Sequence, residues 1–142
     1  EVKNMGLTNA MKAKLLDHYY GGGDLARPET LYLGLSTTKP TATGGNVTEP
    51  VGSNYERVAL PNNSDTWNNA TVANPSVKTN KVLIEFPRAT GDWGTVTHWV
   101  LYENTSGTPV DFGELALSKP LTQGDMARFE PGSIEIRLSH EG

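Results

Sequence analysis

The stretch that most constrains this chain is residues 86–102, FPRATGDWGTVTHWVLY. Pro87 ends one strand because its nitrogen has no hydrogen to donate to a ladder. Gly91-Asp92 and Gly94 supply turn chemistry around Trp93, and residues 96–102 then form the longest uninterrupted β-forming run in the sequence. On alternation, Val96, His98, Val100 and Tyr102 face one way while Thr97, Trp99 and Leu101 face the other, so neither face is wholly polar. The pattern predicts a central strand buried on both sides, with every other strand packed around it. Trp93 and Trp99 bring a large apolar area to the same place, and at roughly 25 cal/mol per Å² each ring is worth a few kcal/mol when buried.

The rest of the chain repeats the β signal at short spacing. Residues 30–37 alternate, with Leu31, Leu33 and Leu35 on one face and Tyr32, Gly34 and Ser36 on the other. Residues 55–60 return to strand. Residues 77–86 form a further strand region, dense in Val82, Leu83, Ile84 and Phe86, which is expected to pair with the central strand. A turn at 104–107 leads into a hairpin strand at 110–117, and 126–129 and 133–138 finish the body, with Ile134, Ile136 and Leu138 pointing inward. About eight strands without intervening helices exclude a parallel βαβ sheet. The expected fold is mainly β, an antiparallel, jelly-roll-like sandwich preceded by one amphipathic helix. The 142 residues fit one domain, with a helix and glycine hinge at 6–22 and a β body at 30–138.

The helix is predicted over residues 7–20. Leu7, Met11 and Leu15 recur every four residues, Leu16 and Tyr19 widen the stripe, and Thr8 is placed to cap the N-terminus. Gly21-Gly22-Gly23 ends it and introduces a hinge. Such a helix either lies across its own sheet or serves as a docking arm, with Leu7, Met11, Leu15 and Tyr19 as assembly contacts. Two long polar loops, 39–54 and 61–76, carry the other candidate surface, and the second contains Trp67. If that tryptophan contacts a glycan or receptor its ring is exposed; if it plugs the edge of the core it is packed.

Function classes narrow further by what is missing. A net charge of −4 with scattered Lys and Arg leaves no electrostatic footprint for nucleic acid or an anionic membrane. Cysteine is absent, which removes disulfides, thiolate metal sites and cysteine nucleophiles together. No apolar run reaches the roughly 20 residues that span a bilayer, and residues 1–5 are too polar for a signal peptide, so the chain reads as soluble. Met5 as a native start, and residues 1–4 as part of a longer or processed precursor, are both open. His18, His98 and His140 stand apart without metal-ligand spacing, and no GxSxG element is present. Asp92, Glu103 and Glu114 are isolated carboxylates rather than a paired acid and base. No catalytic, metal or cofactor residue is predicted.

Five segments form one ordered pattern: LTNAMKAKLLDHYYGG at 7–22, TLYLGLSTTKP at 30–40, NVTEPVGSNYERVAL at 46–60, FPRATGDWGTVTHWVLYE at 86–103 and FGELALSKPLTQGD at 112–125. The chain resembles the small phage tail-fibre-like, or virion structural, proteins, in which a short LLDH-type helix precedes a β-rich body. Its most specific pieces are Glu49-Pro50 with Tyr55-Glu56-Arg57-Val58, and residues 86–98. The resemblance implies a virion component of the tail or of capsid decoration, with no enzyme residues to carry over. It departs at 61–76, where an Asn-rich loop with Trp67 replaces a smaller Gly/Ala/Ser loop. The function expected is therefore a non-enzymatic structural protein, homo-oligomeric and bound to other capsid or tail proteins. The alternative is a module on the particle surface that uses the two loops and Trp67 to bind a host surface glycan or receptor.

Overall fold

In the computed structural model residues 6–139 are described. Along the chain run β1 (Gly6–Leu7), α1 (Asn9–Tyr19), β2 (Thr30–Ser36), β3 (Val58–Pro61), β4 (Ser76–Thr79), β5 (Ile84–Glu85), β6 (Gly94–Tyr102), β7 (Asp111–Leu121), β8 (Arg128–Phe129) and β9 (Glu135–Leu138). The fold is mainly β, as expected, with one short helix near the N-terminus. β6 is the middle strand of a five-stranded sheet ordered β1-β7-β6-β2-β3, all of whose pairs are antiparallel. Two two-stranded ribbons, β4-β9 and β5-β8, form the opposing layer of a sandwich-like body.

Leu33, Leu35, Trp99 and Leu101 of the sheet meet Ile84, Phe86, Phe129 and Ile134 of the ribbon side in the main core. A separate, smaller cluster holds Val100, Tyr102 and Phe112, with Tyr32 and Val47 against it. β6 feeds both clusters, so it is buried on both faces as its sequence predicts. Val96 departs from the simple alternation and joins Trp99 in the main core. The cause lies next door: Val96 pairs with Lys119 and His98 with Glu114, so residues 115–118 of β7 stand opposite Thr97 alone and the phase resets across this bulge.

The expected strand at 77–86 is not one strand and does not pair with β6. It divides into β4 and β5, which pair with β9 and β8. Asn80, fully buried between them, replaces ladder bonds with side-chain ones. Its Nδ2 donates to the carbonyls of Val82 (2.9 Å) and Glu130 (3.0 Å), and its Oδ1 accepts from the Ile134 amide at 2.9 Å. The kink leaves Val82 and Leu83 partly exposed. Leu138, expected inside, is also exposed at the end of β9.

Leu7 belongs to β1, paired with Asp111, rather than to the helix. Thr8 is the N-cap, its Oγ1 accepting from the Met11 amide at 3.4 Å. Gly21 at φ +80° provides the left-handed step that ends α1, and the Gly22 amide returns to the Asp17 carbonyl at 2.7 Å. The glycine run is thus tied back to the helix it terminates.

Candidate functional site

The densest polar constellation lies on the sheet above Gly34 of β2, where the loop after β2 crosses back. Gly34 has no side chain because none fits: a Cβ there would stand 2.9 Å from Glu49 Oε2 and 3.0 Å from the Tyr55 hydroxyl. Arg57 grips the Glu49 carboxylate as a fork, Nη2 donating to Oε1 at 2.6 Å and Nε to Oε2 at 3.1 Å. The Tyr55 hydroxyl donates to Oε2 at 2.5 Å and the Tyr102 hydroxyl to Oε1 at 3.2 Å. Arg57 also lies over the Tyr102 ring, its Cζ 3.5 Å from the centroid. β3 begins at Val58, opposite Leu33, and beyond that pair the Leu35 amide donates to the Tyr55 oxygen at 2.9 Å.

Burial works to raise Glu49, but the hydrogen bonds from Arg57 and Tyr55 and the guanidinium charge outweigh it and hold the carboxyl below its ordinary value. Burial, followed by the bond to Glu49, pushes Tyr55 well above an ordinary phenol; Tyr102 is pushed up to about 12, by burial first and then by the Glu49 charge. Four donor atoms, Nε and Nη2 of Arg57 and the hydroxyls of Tyr55 and Tyr102, thus converge on one carboxylate held in its charged form. The arrangement is a clamp that fastens a long loop to the sheet. Glu49, Tyr55 and Arg57 are the residues of the EP and YxR segments singled out in the sequence, whereas Glu56 between them is exposed. Their chemistry was not visible there, because only the fold brings Gly34 and Tyr102 beneath them. The same loop is pinned elsewhere by Trp93 Nε1 donating to the Ser53 carbonyl at 2.9 Å and by the Thr37 amide donating to Thr48 at 2.9 Å.

The residues named as assembly contacts separate. Leu7, Met11 and Leu15 are half-buried and line a groove of about 310 Å³ together with Leu31, Leu101 and Ile136 of the body. Tyr19 stands in solvent, its ring edge-on to that of Tyr20. At the groove Asp111 is 1% exposed; its Oδ1 accepts from the Phe112 amide at 2.8 Å, while Oδ2 has no partner among the described residues. Burial pushes this carboxyl up to about 8, against the pull of the Phe112 amide. The sequence offered no sign of it, since an Asp at a strand start after a turn reads as turn chemistry.

Trp67 is 5% exposed and belongs to the main core. The ring is therefore packed, as expected of a plug at the core edge, and does not offer a face to a sugar.

Ser36, His98 and Glu114 form a cross-strand row on β2, β6 and β7, which brings a nucleophile, a base and an acid into register. The row is not a relay. Ser36 Oγ donates to the Thr38 carbonyl at 2.6 Å, and His98 Nδ1 bonds Thr97 Oγ1 at 2.8 Å while its Nε2 has no partner among the described residues. Burial lowers His98, with Glu114 opposing and Lys39 assisting. Asp92 is exposed, and Glu103 sits 3.9 Å from Lys14. Among the described residues no group of three or more His, Cys, Asp or Glu is placed to hold a metal, and no helix is long and apolar enough to cross a membrane. His140 lies outside the described residues.

Fold and polar network together define a class: a β-rich module in which a Glu–Arg–Tyr network fastens the long loop after β2 to the sheet. The comparison with protein families is more specific, since residues 6–137 match the family described as Podophage GP4 fiber I protein gp80. The chain belongs to that phage fibre family, whose members are structural proteins of the virion. No curated protein matches the chain.

Proposed function

We propose that the chain is a non-enzymatic structural subunit of a podophage tail fibre, one domain present in several symmetric copies and joined to other virion proteins. The observation that carries this reading is the Glu49 clamp, which commits the best-placed charged and phenolic groups to holding a loop. Membership of the fibre family supports it. Leu7, Met11 and Leu15 seat the N-terminal segment on the body, and Tyr19 stands available for contact with a neighbour.

The test has two arms. Sedimentation of the purified chain is expected to show a discrete homo-oligomer, and incubation with polysaccharides or peptides, with or without divalent metals, is expected to show no hydrolysis. Turnover abolished by His98→Gln or Asp92→Asn would overturn the structural reading. A second reading, surface recognition through loops 39–54 and 61–76, is favoured by Val51 and Val72, which are 92% and 105% exposed on them. Binding to a glycan array that is lost on Val51→Asp or Val72→Asp would establish it.

A further inference from the structure

The apolar residues of α1 are divided between two faces. Met11 and Leu15 look into the groove on the body, whereas Leu16 and the C-cap residue Tyr20, whose amide still bonds the Leu16 carbonyl, are 60% and 76% exposed. Asn9, Ala13, Leu16 and Tyr20 are spaced four, three and four apart, the a/d spacing of a heptad seam, and fall within about 60° of arc on the side away from Met11 and Leu15. Lys12 and Asp17 flank this seam on opposite sides. Both are exposed, and neither is in any of the ion pairs found among the described residues.

We propose that the outer face of α1 docks against the same face of a second copy in parallel orientation, about a rotation axis that runs along the helices, with Lys12 of one copy meeting Asp17 of the next. The charges select the occupant and its direction. A residue at the position before a of one heptad meets, in a parallel neighbour, the residue five places further on that follows d, and Lys12 and Asp17 have this separation and these flanks. An antiparallel neighbour brings like flank to like flank, so Lys12 would face Lys12. The helix is already formed and seated by Met11, Leu15 and the Lys14–Glu103 pair at 3.9 Å, so association bears no helix-nucleation cost. A seam of this length covers less than the roughly 800 Å² per partner of a standard interface. It therefore sets orientation and register in an assembly to which the adjoining bodies add area.

The inference rests on the proposed multi-copy fibre subunit, and the absence of cysteine makes the test clean. In the 142-residue chain, Leu16→Cys is expected to form a disulfide-linked dimer under mild oxidation at least about tenfold faster than Leu117→Cys, because the seam raises the effective concentration of the two thiols. Leu117 is a fair control, at 79% exposure on β7. By sedimentation, Lys12→Asp and Asp17→Lys are each expected to weaken association and the double reversal to restore it. An oligomer in which Leu16→Cys links no faster than the control, or in which the reversals change nothing, overturns the α1 seam alone. A chain that stays monomeric throughout overturns the multi-copy reading with it.

Discussion

Glu49 and Asp111 are both carboxylates drawn out of bulk water, and their neighbours drive them in opposite directions. Glu49, lowered by Arg57 and Tyr55 against its burial, contributes stability that is fully present above the ordinary carboxylate value and is lost as pH falls through its folded value. Arg57→Ala is expected to cost about 2 kcal/mol, since it leaves a partly solvated carboxylate with only phenolic donors. A chemical denaturation curve at neutral pH measures it, and a loss below a few tenths of a kcal/mol would show the clamp to be ornamental. Asp111, raised to about 8, has the reverse sign: stability is full below its ordinary value and is lost progressively as pH rises through the folded one. Asp111→Asn keeps an acceptor for the Phe112 amide and removes the buried charge. It is expected to raise the melting temperature at about pH 9 and to leave it nearly unchanged at about pH 4. Gly113 tests packing rather than charge. A Cβ there would stand 2.5 Å from three atoms of the Trp99 indole, so Gly113→Ala is expected to cost at least about 1–3 kcal/mol in a thermal melt.

At the scale of elements, the parts written by local chemistry were legible in advance and the parts written by contact were not. The β6 run announced itself because a strand buried on both faces must be apolar on both faces. Thr8 capping and the glycine stop of α1 follow from backbone rules that act within a few residues. The split of 77–86 was hidden, because Asn80 looks like an ordinary polar residue until Ile134 and Glu130 arrive from fifty or more residues away to bond it. Asn80→Ala removes three side-chain bonds of a fully buried residue at one stroke and is expected to cost about 2–4 kcal/mol, read from the denaturation midpoint. A loss confined to the ribbons, with the five-stranded sheet intact by hydrogen exchange, would show the two layers to be less coupled than the shared core indicates. The helix misled in another way: a stripe with four-residue spacing suggested one apolar face, whereas the packing uses Met11 and Leu15 and leaves Leu16, Tyr19 and Tyr20 outside.

For the molecule as a whole, the candidate site was half visible. The EP and YxR segments stood out as the most specific pieces of the sequence, yet their role depends on Gly34 and Tyr102, which reach them only through the pairing of β2 with β6. What they build is a fastening: the Glu–Arg–Tyr network holds a long loop in shape against the sheet. The central claim, that the chain is a structural repeat of the tail fibre, is tested most directly by an image of the phage particle at residue resolution. The account predicts several symmetry-related copies in the fibre, with α1 helices side by side near the symmetry axis and the Glu49 loops intact on their sheets. A single copy, or a position away from the fibre, would contradict it.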